Sequence, residues 1–162
     1  MLNYVESIKH KGSFNMNILF LLKPKVNVAY ITEDSTVRQG LEKMKVHGYT
    51  AIPVLNKEGE YVGTVSEGDF LRHLLNCRNK ELEAQENYSI MDIISEDRNK
   101  PVTVTADMND LLRIVMDQNF VPVIDDKKSF IGIITRRDVI KFFCDRDREL
   151  TEMLKKTSIV SQ

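Results

Sequence analysis

Residues 132–138 read Gly-Ile-Ile-Thr-Arg-Arg-Asp, and each polar member has a chemical use. Ile131, Ile133 and Ile134 read as a short buried strand. An amphipathic apolar run begins at Val139. The stretch is therefore a strand, a turn and a helix N-terminus, where backbone N–H groups lack partners and the helix dipole favours an anion. Thr135 can donate to a phosphate or ribose oxygen, and Asp138 can accept from a pair of ribose hydroxyls. Arg136 and Arg137 can grip phosphate through planar forks. The same residues also suit a capped helix start with surface arginines. Local chemistry leaves both readings open.

The stretch has a twin. Residues 63–69 read Gly-Thr-Val-Ser-Glu-Gly-Asp. Pro53 pairs with Pro122, Gly63 with Gly132, Ser66 with Thr135 and Asp69 with Asp138, all at one constant offset. Between these anchors apolar faces apolar: Ile52 with Val121, Val54 with Val123, Tyr61 with Phe130. Upstream, Thr32 and Asp34 match Thr105 and Asp107 at a longer offset, so the second unit has lost about one helical turn. Two such motifs in register with their flanking strands are not expected by chance.

The elements that must position these motifs follow from periodicity. Residues 18–22 read as a short helix, with a counterpart at residues 90–94. Residues 26–31 read as a strand bearing Tyr30. Ser35 opens a helix with an apolar stripe at Val37, Leu41 and Met44, and Gly48 ends it. Residues 49–55 and 61–65 read as strands joined by a turn at residues 57–60. Phe70, Leu71, Leu74 and Leu75 line the next helix face. Residues 76–87 are charged and aperiodic, a connection. The second unit repeats the order: strand 102–104, a helix with Met108, Leu111, Leu112 and Val115, strands 120–124 and 130–134, and a long helix from Val139 towards Lys156. Each unit is β-α-β-β-α. Neither can cover its small sheet alone, so the two must pack together.

Composition narrows the function classes. The 162 residues suffice for one compact domain, and the net charge of −1 sets up no global field for nucleic acid or membrane. Lys and Arg are balanced by acids, with no basic, aromatic-interleaved face. The longest apolar run, residues 18–22, is too short to span a bilayer, and no signal-peptide pattern is present. Cys77 and Cys144 lack metal-ligand spacing and are expected as buried thiols on apolar helix faces, in a reducing compartment. A cytoplasmic location is expected. His10, His47 and His73 have no partner at nucleophile or metal spacing, and there is no Walker loop or dinucleotide fingerprint. We expect no enzyme and no catalytic residue. Residues 1–15 match nothing in the second unit. We expect translation to begin at Met16, since Lys11-Gly12-Ser13 can be written as a ribosome-binding site.

Two β-α-β-β-α units, each closing with Gly-x-x-[Ser/Thr]-x-x-Asp, resemble a tandem cystathionine-β-synthase (CBS) domain pair. The resemblance implies an α/β (α+β) fold of two repeats related by pseudo-two-fold symmetry. The expected divisions are 1–16 an arm, 17–76 the first repeat, 77–89 a linker, 90–145 the second repeat, and 146–162 a helical extension and tail. It implies a regulatory protein that binds AMP, ADP, ATP or cyclic di-AMP and modulates a partner in trans. The alternative is a ligand-free dimerisation or assembly module. A homodimer is expected, through Phe142, Phe143, Leu150 and Leu154 on the last helix and Leu71 and Leu74 on the earlier one.

The resemblance also implies how clefts are shared. One takes Ile134, Thr135, Arg136, Arg137 and Asp138 with Val28, Ala29, Tyr30, Gly48, Tyr49, Thr50, Ala51 and Pro53. Ala29 and Ala51 let a base approach the backbone, and Tyr49 can stack on it. The stretch Gly-Tyr-Thr-Ala-Ile-Pro-Val followed by Thr-Arg-Arg resembles small stand-alone CBS proteins that sense cyclic di-AMP. A second, weaker cleft takes Ser66 and Asp69 with Thr103, Phe120 and Val121. There Glu67 and Gly68 replace the arginines. We expect phosphate to prefer the first cleft, with Arg136 the favoured ligand because it aligns with Glu67.

Overall fold

The computed structural model describes residues 17–95 and 97–160, with side chains through residue 156. The expected arm and the proposed start at Met16 lie outside them. Among the described residues, eleven strands and α-helices follow in order: β1 (Lys23–Pro24), β2 (Ile31–Thr32), α1 (Val37–His47), β3 (Ala51–Leu55), β4 (Tyr61–Ser66), α2 (Glu67–Asn76), β5 (Val102–Thr103), α3 (Met108–Asp117), β6 (Phe120–Ile124), β7 (Phe130–Thr135) and α4 (Arg136–Val160). The fold is α+β, built from two β-α-β-β-α units.

Each unit forms the same small mixed sheet. In the first, β2 runs parallel to β3, and β3 pairs antiparallel with β4. In the second, β5 is parallel to β6, and β6 antiparallel to β7. The motif glycines occupy the same register: Val54 faces Gly63, and Val123 faces Gly132. Helix α1 takes Thr36 as its N-cap, one residue after the expected Ser35, because Thr36 and Gln39 form a reciprocal capping box. It ends at Gly48, whose left-handed φ of 62° costs a glycine little.

Two core clusters lie within the units and a third lies between them. Ile31, Val37, Ile52, Val54, Val65 and Phe70 fill the first. Met108, Leu111, Val121, Val123, Ile134 and Val139 fill the second. Val28 and Leu55 meet Phe120, Phe130 and Ile133 in the third, which joins the two units. The short helical turns that precede each unit cross over. Ile18 is buried in the second unit's core and Ile90 in the first unit's. Strand β1 likewise adds to the edge of β7, placing Lys23 opposite Ile133. Ser95 makes the matching bridge to Thr64 of β4.

Three expectations need correction. The strand over residues 26–31 is a short helical turn at Lys25–Asn27, followed by unpaired extended chain and then β2. Pro24 leads into that turn, and the Val28 N–H closes it on the Lys25 carbonyl at 3.1 Å. Leu71 and Leu75 do not face the core: they are 58% and 63% exposed, while Phe70 carries the burial. Cys144 is exposed and Cys77 is half-buried, so neither thiol is enclosed.

Candidate functional site

The last helix begins three residues before the expected Val139. Thr135 ends β7, and its Oγ1 accepts the Asp138 N–H at 3.2 Å, which caps the new helix. The hydroxyl donates in turn to Asp138 Oδ2 at 2.5 Å. Arg136 and Arg137 are thereby drawn into the first turn, where a cation opposes the helix dipole. Arg136 is compensated within the chain. Its Nε donates to the carbonyls of Val115 (2.7 Å) and Gln118 (3.1 Å), and its Nη2 to that of Met116 (3.3 Å). It thus caps the C-terminal end of α3, where carbonyls are otherwise unpaired. The arginine favoured for phosphate is engaged in holding two helices together.

Arg137 is exposed and reaches a cleft between the units. This cleft is about 500 Å³, within the range of roughly 300–1,000 Å³ usual for small-molecule sites. One wall is Gly48, Tyr49, Thr50, Ala51 and Pro53, placed by the end of α1 and by β3. The opposite wall is Asn119, Phe120, Ile133 and Thr135, from β6 and β7. Val28, Asn27 and Lys23 close one side. Eight of the thirteen residues expected at this site therefore come together: Val28, Gly48, Tyr49, Thr50, Ala51, Pro53, Thr135 and Arg137.

The other five sit elsewhere. Ile134 is fully buried in the second core, because strand alternation turns it away from Ile133. Ala29 packs on the first core. Tyr30 packs on the inter-unit cluster, with the Lys25 and Lys43 ammonium groups each 5.4 Å from its ring centre. Arg136 caps α3. Asp138 lines a neighbouring groove and pairs with Lys23 at 3.3 Å. Sequence reasoning missed Lys23, Asn27, Asn119 and Ile133 here. No motif flags Lys23, which reaches the site because β1 joins the second unit's sheet.

The residues expected at the second cleft are not all brought together. Phe120 lines the first cleft, Val121 is buried in the second core, and Thr103 is exposed beside Thr105. Ser66 and Asp69 are enclosed by another part of the chain. Asp69 is 7% exposed, and its Oδ2 accepts from the Ser66 N–H (2.8 Å), the Ser66 hydroxyl (2.6 Å) and Arg98 Nη1 (2.7 Å). Arg98 also donates to Ser66 Oγ, and Arg72 to Asp69 Oδ1. Burial pushes the Asp69 carboxyl up, but the Ser66 donors and then Arg98 and Arg72 outweigh it, leaving it below the usual carboxylate range. Tyr61 anchors the segment. Its hydroxyl meets Thr64 Oγ1 at 2.7 Å and donates to the carbonyls of Arg98 (3.2 Å) and Asn99 (2.9 Å). Burial pushes the phenol up to about 12, against the lowering effect of Thr64. Glu67, which stands where the other motif has Arg136, is exposed.

One further pairing was not foreseen. His73 Nε2 lies 3.3 Å from Cys77 Sγ and 2.9 Å from Gln85 Oε1. The Gln85 amide nitrogen donates to the carbonyls of Asn79 and Glu81, which turns its oxygen to the imidazole. The pair is a packed polar contact at the end of α2. Among the described residues no group of three His, Cys, Asp or Glu side chains could hold a metal ion. No described helix is long and apolar enough to cross a membrane.

Two sheets of one topology, facing each other across a cleft and each closing on the same motif, define a paired-repeat module. The CBS domain family model matches residues 22–76 and 90–145, and the chain belongs to that family. It is 23% identical to the uncharacterized protein MJ1426 of Methanocaldococcus jannaschii, over 85% of this chain and 98% of that protein. The chain spans about half the length of another archaeal relative, MK0525 of Methanopyrus kandleri, at 25% identity over 61% of this chain. Among solved structures, it superposes on CbpB in complex with c-di-AMP with a TM-score of 0.78, at 21% identity, covering 94% of this chain and 99% of that one. For Listeria monocytogenes CbpB with c-di-AMP the TM-score is 0.73, at 25% identity, covering 83% and 99%. For CBSX2 in complex with AMP it is 0.68, at 21% identity, covering 82% and 99%.

Proposed function

We propose that this protein is a regulatory adenine-nucleotide sensor that takes AMP, ADP, ATP or cyclic di-AMP between its repeats and modulates a partner protein in trans. The observation that carries the reading is the inter-unit cleft itself. One wall offers backbone and small side chains at Gly48, Thr50 and Ala51, with Tyr49 there and Phe120 opposite to flank a flat base. Its cationic rim is Arg137 with Lys23. Arg137 stands at the positive end of α4, where an anion relieves an unfavourable charge placement. Thr135 lines this cleft, and Asp138, to which it donates, can meet a ribose once Lys23 swings to phosphate. Complexes of CbpB with c-di-AMP and of CBSX2 with AMP support the ligand class. In this reading the protein is cytoplasmic and has no catalytic residue. Calorimetric titration with AMP, ADP, ATP and cyclic di-AMP tests it: saturable binding of at least one supports it, and absence of binding by all four rejects it. Turnover of any ligand would reject the non-catalytic reading.

A second reading is an assembly module with an empty cleft. It is favoured by the apolar side chains left on the outer faces of α2 and α4, namely Leu71, Leu75, Ile140, Leu150 and Leu154. A homodimer through these helices is compatible with either reading.

A further inference from the structure

We propose that Arg98 is the resident occupant of the second cleft, its guanidinium holding the Asp69 carboxylate and Ser66 hydroxyl that a ribose would otherwise meet. Which cleft is left for nucleotide rests on the reading above; the occupancy by Arg98 does not. Asp69 and Ser66 are the register twins of Asp138 and Thr135. The two acids differ in their surroundings. The Asp138 side chain is 29% exposed and faces Lys23, whose side chain is 50% exposed and sits on a flexible stem. The Asp69 side chain is 7% exposed and takes donors from Ser66, Arg72 and Arg98 on its two oxygens.

Arg98 is also held from behind. Tyr61 binds its carbonyl and that of Asn99. Asn99 adopts a left-handed φ of 57°, is buried, and donates to the Phe120 carbonyl at 2.7 Å. That backbone conformation is uncommon outside glycine and persists where surrounding contacts enforce it. The segment is therefore fixed at both ends of the guanidinium's reach. A neutral ribose hydroxyl entering here must displace charge-assisted hydrogen bonds, which are about twice as strong as neutral ones. Each such replacement is expected to weaken binding roughly ten-fold or more.

Two measurements on the full chain test the occupancy. In nitrogen-resolved NMR, the restrained Arg98 guanidinium should give its own protected signal, lost in Asp69→Asn. A signal indifferent to Asp69→Asn overturns the proposal. In calorimetry with AMP as the probe, Arg98→Ala should gain one site per chain over the wild type, and that site should survive Arg137→Ala. Arg98→Gln, which keeps a donor on a shorter side chain but loses the charge, should gain the same site more weakly and guards against a folding defect. A wild type that already binds two AMP per chain, or two folded variants that gain none, overturns it. Binding by Arg98→Ala with none by the wild type supports the occupancy while overturning the first-cleft assignment.

Discussion

Replacing Arg136 or Arg137 by alanine should separate two roles that their adjacency conflates. Arg137→Ala should weaken nucleotide binding about ten- to a hundred-fold, the loss of one charge-assisted hydrogen bond, with little change in melting temperature. Arg136→Ala should lower stability by roughly 1–2 kcal/mol through the orphaned carbonyls of Val115, Met116 and Gln118. Affinity should change less. Titration and thermal melts on both variants check this, and equal loss of affinity would return Arg136 to the cleft. Tyr61 gives a pH prediction. Its folded pKa is raised to about 12 from an ordinary 10.0, so the folded state favours the neutral phenol. That contribution is fully present below pH 10 and is lost as pH rises from there through about 12. Denaturation between those values should show stability falling with pH, and Tyr61→Phe should flatten the slope while costing about 1–3 kcal/mol at neutral pH.

Strand β1 is only two residues long, yet it brings Lys23 to the cleft. It can do so because β7 has a glycine where it passes. A Cβ at Gly132 would stand 2.1 Å from the Lys23 carbonyl oxygen and 3.0 Å from Leu22. Gly63 is approached in the same way by Ile94 and the Ser95 carbonyl. The repeated glycine thus marks where each unit accepts the leading segment of the other. Gly132→Ala should detach β1, cost about 1–3 kcal/mol by overpacking, and weaken nucleotide binding through loss of Lys23. Hydrogen exchange of the amides around Lys23 would show it. Protection equal to wild type there would mean that the strand tolerates the methyl group.

At the scale of the molecule, the apolar residues of α2 and α4 that face no core predict self-association. Leu71, Ile140, Leu150 and Leu154 are 58%, 55%, 55% and 72% exposed. Phe143 packs on the second core instead, and Phe142 is half-buried with its ring edge-on to it at 5.3 Å. A symmetric dimer would bury the exposed set in an isologous contact. Light scattering should give twice the chain mass, and Leu71→Glu with Ile140→Glu should return a monomer. A wild-type monomer at high concentration rejects the dimer.

The amino-acid sequence by itself determined the two-unit architecture, the order of elements along each unit and the strand pairs that carry the motifs. These follow from local periodicity and from a repeat in which Gly63 and Gly132, Ser66 and Thr135, Asp69 and Asp138 keep register. It also brought together most of the first cleft, since Gly48, Tyr49, Thr50 and Ala51 lie consecutively at one helix end. Tertiary structure decided what pairs with what across the repeats. Ile18 and Ile90 exchange cores, β1 crosses to carry Lys23, and Phe120 turns to the first cleft because β6 packs against the other unit. The twin motifs look equivalent in one dimension. They part in three because Arg98, far along the chain from Asp69, folds back onto that carboxylate, whereas Asp138 pairs with a lysine and its own capping threonine. Local pattern records the residues that build an element; it holds no record of which distant guanidinium will reach a given acid.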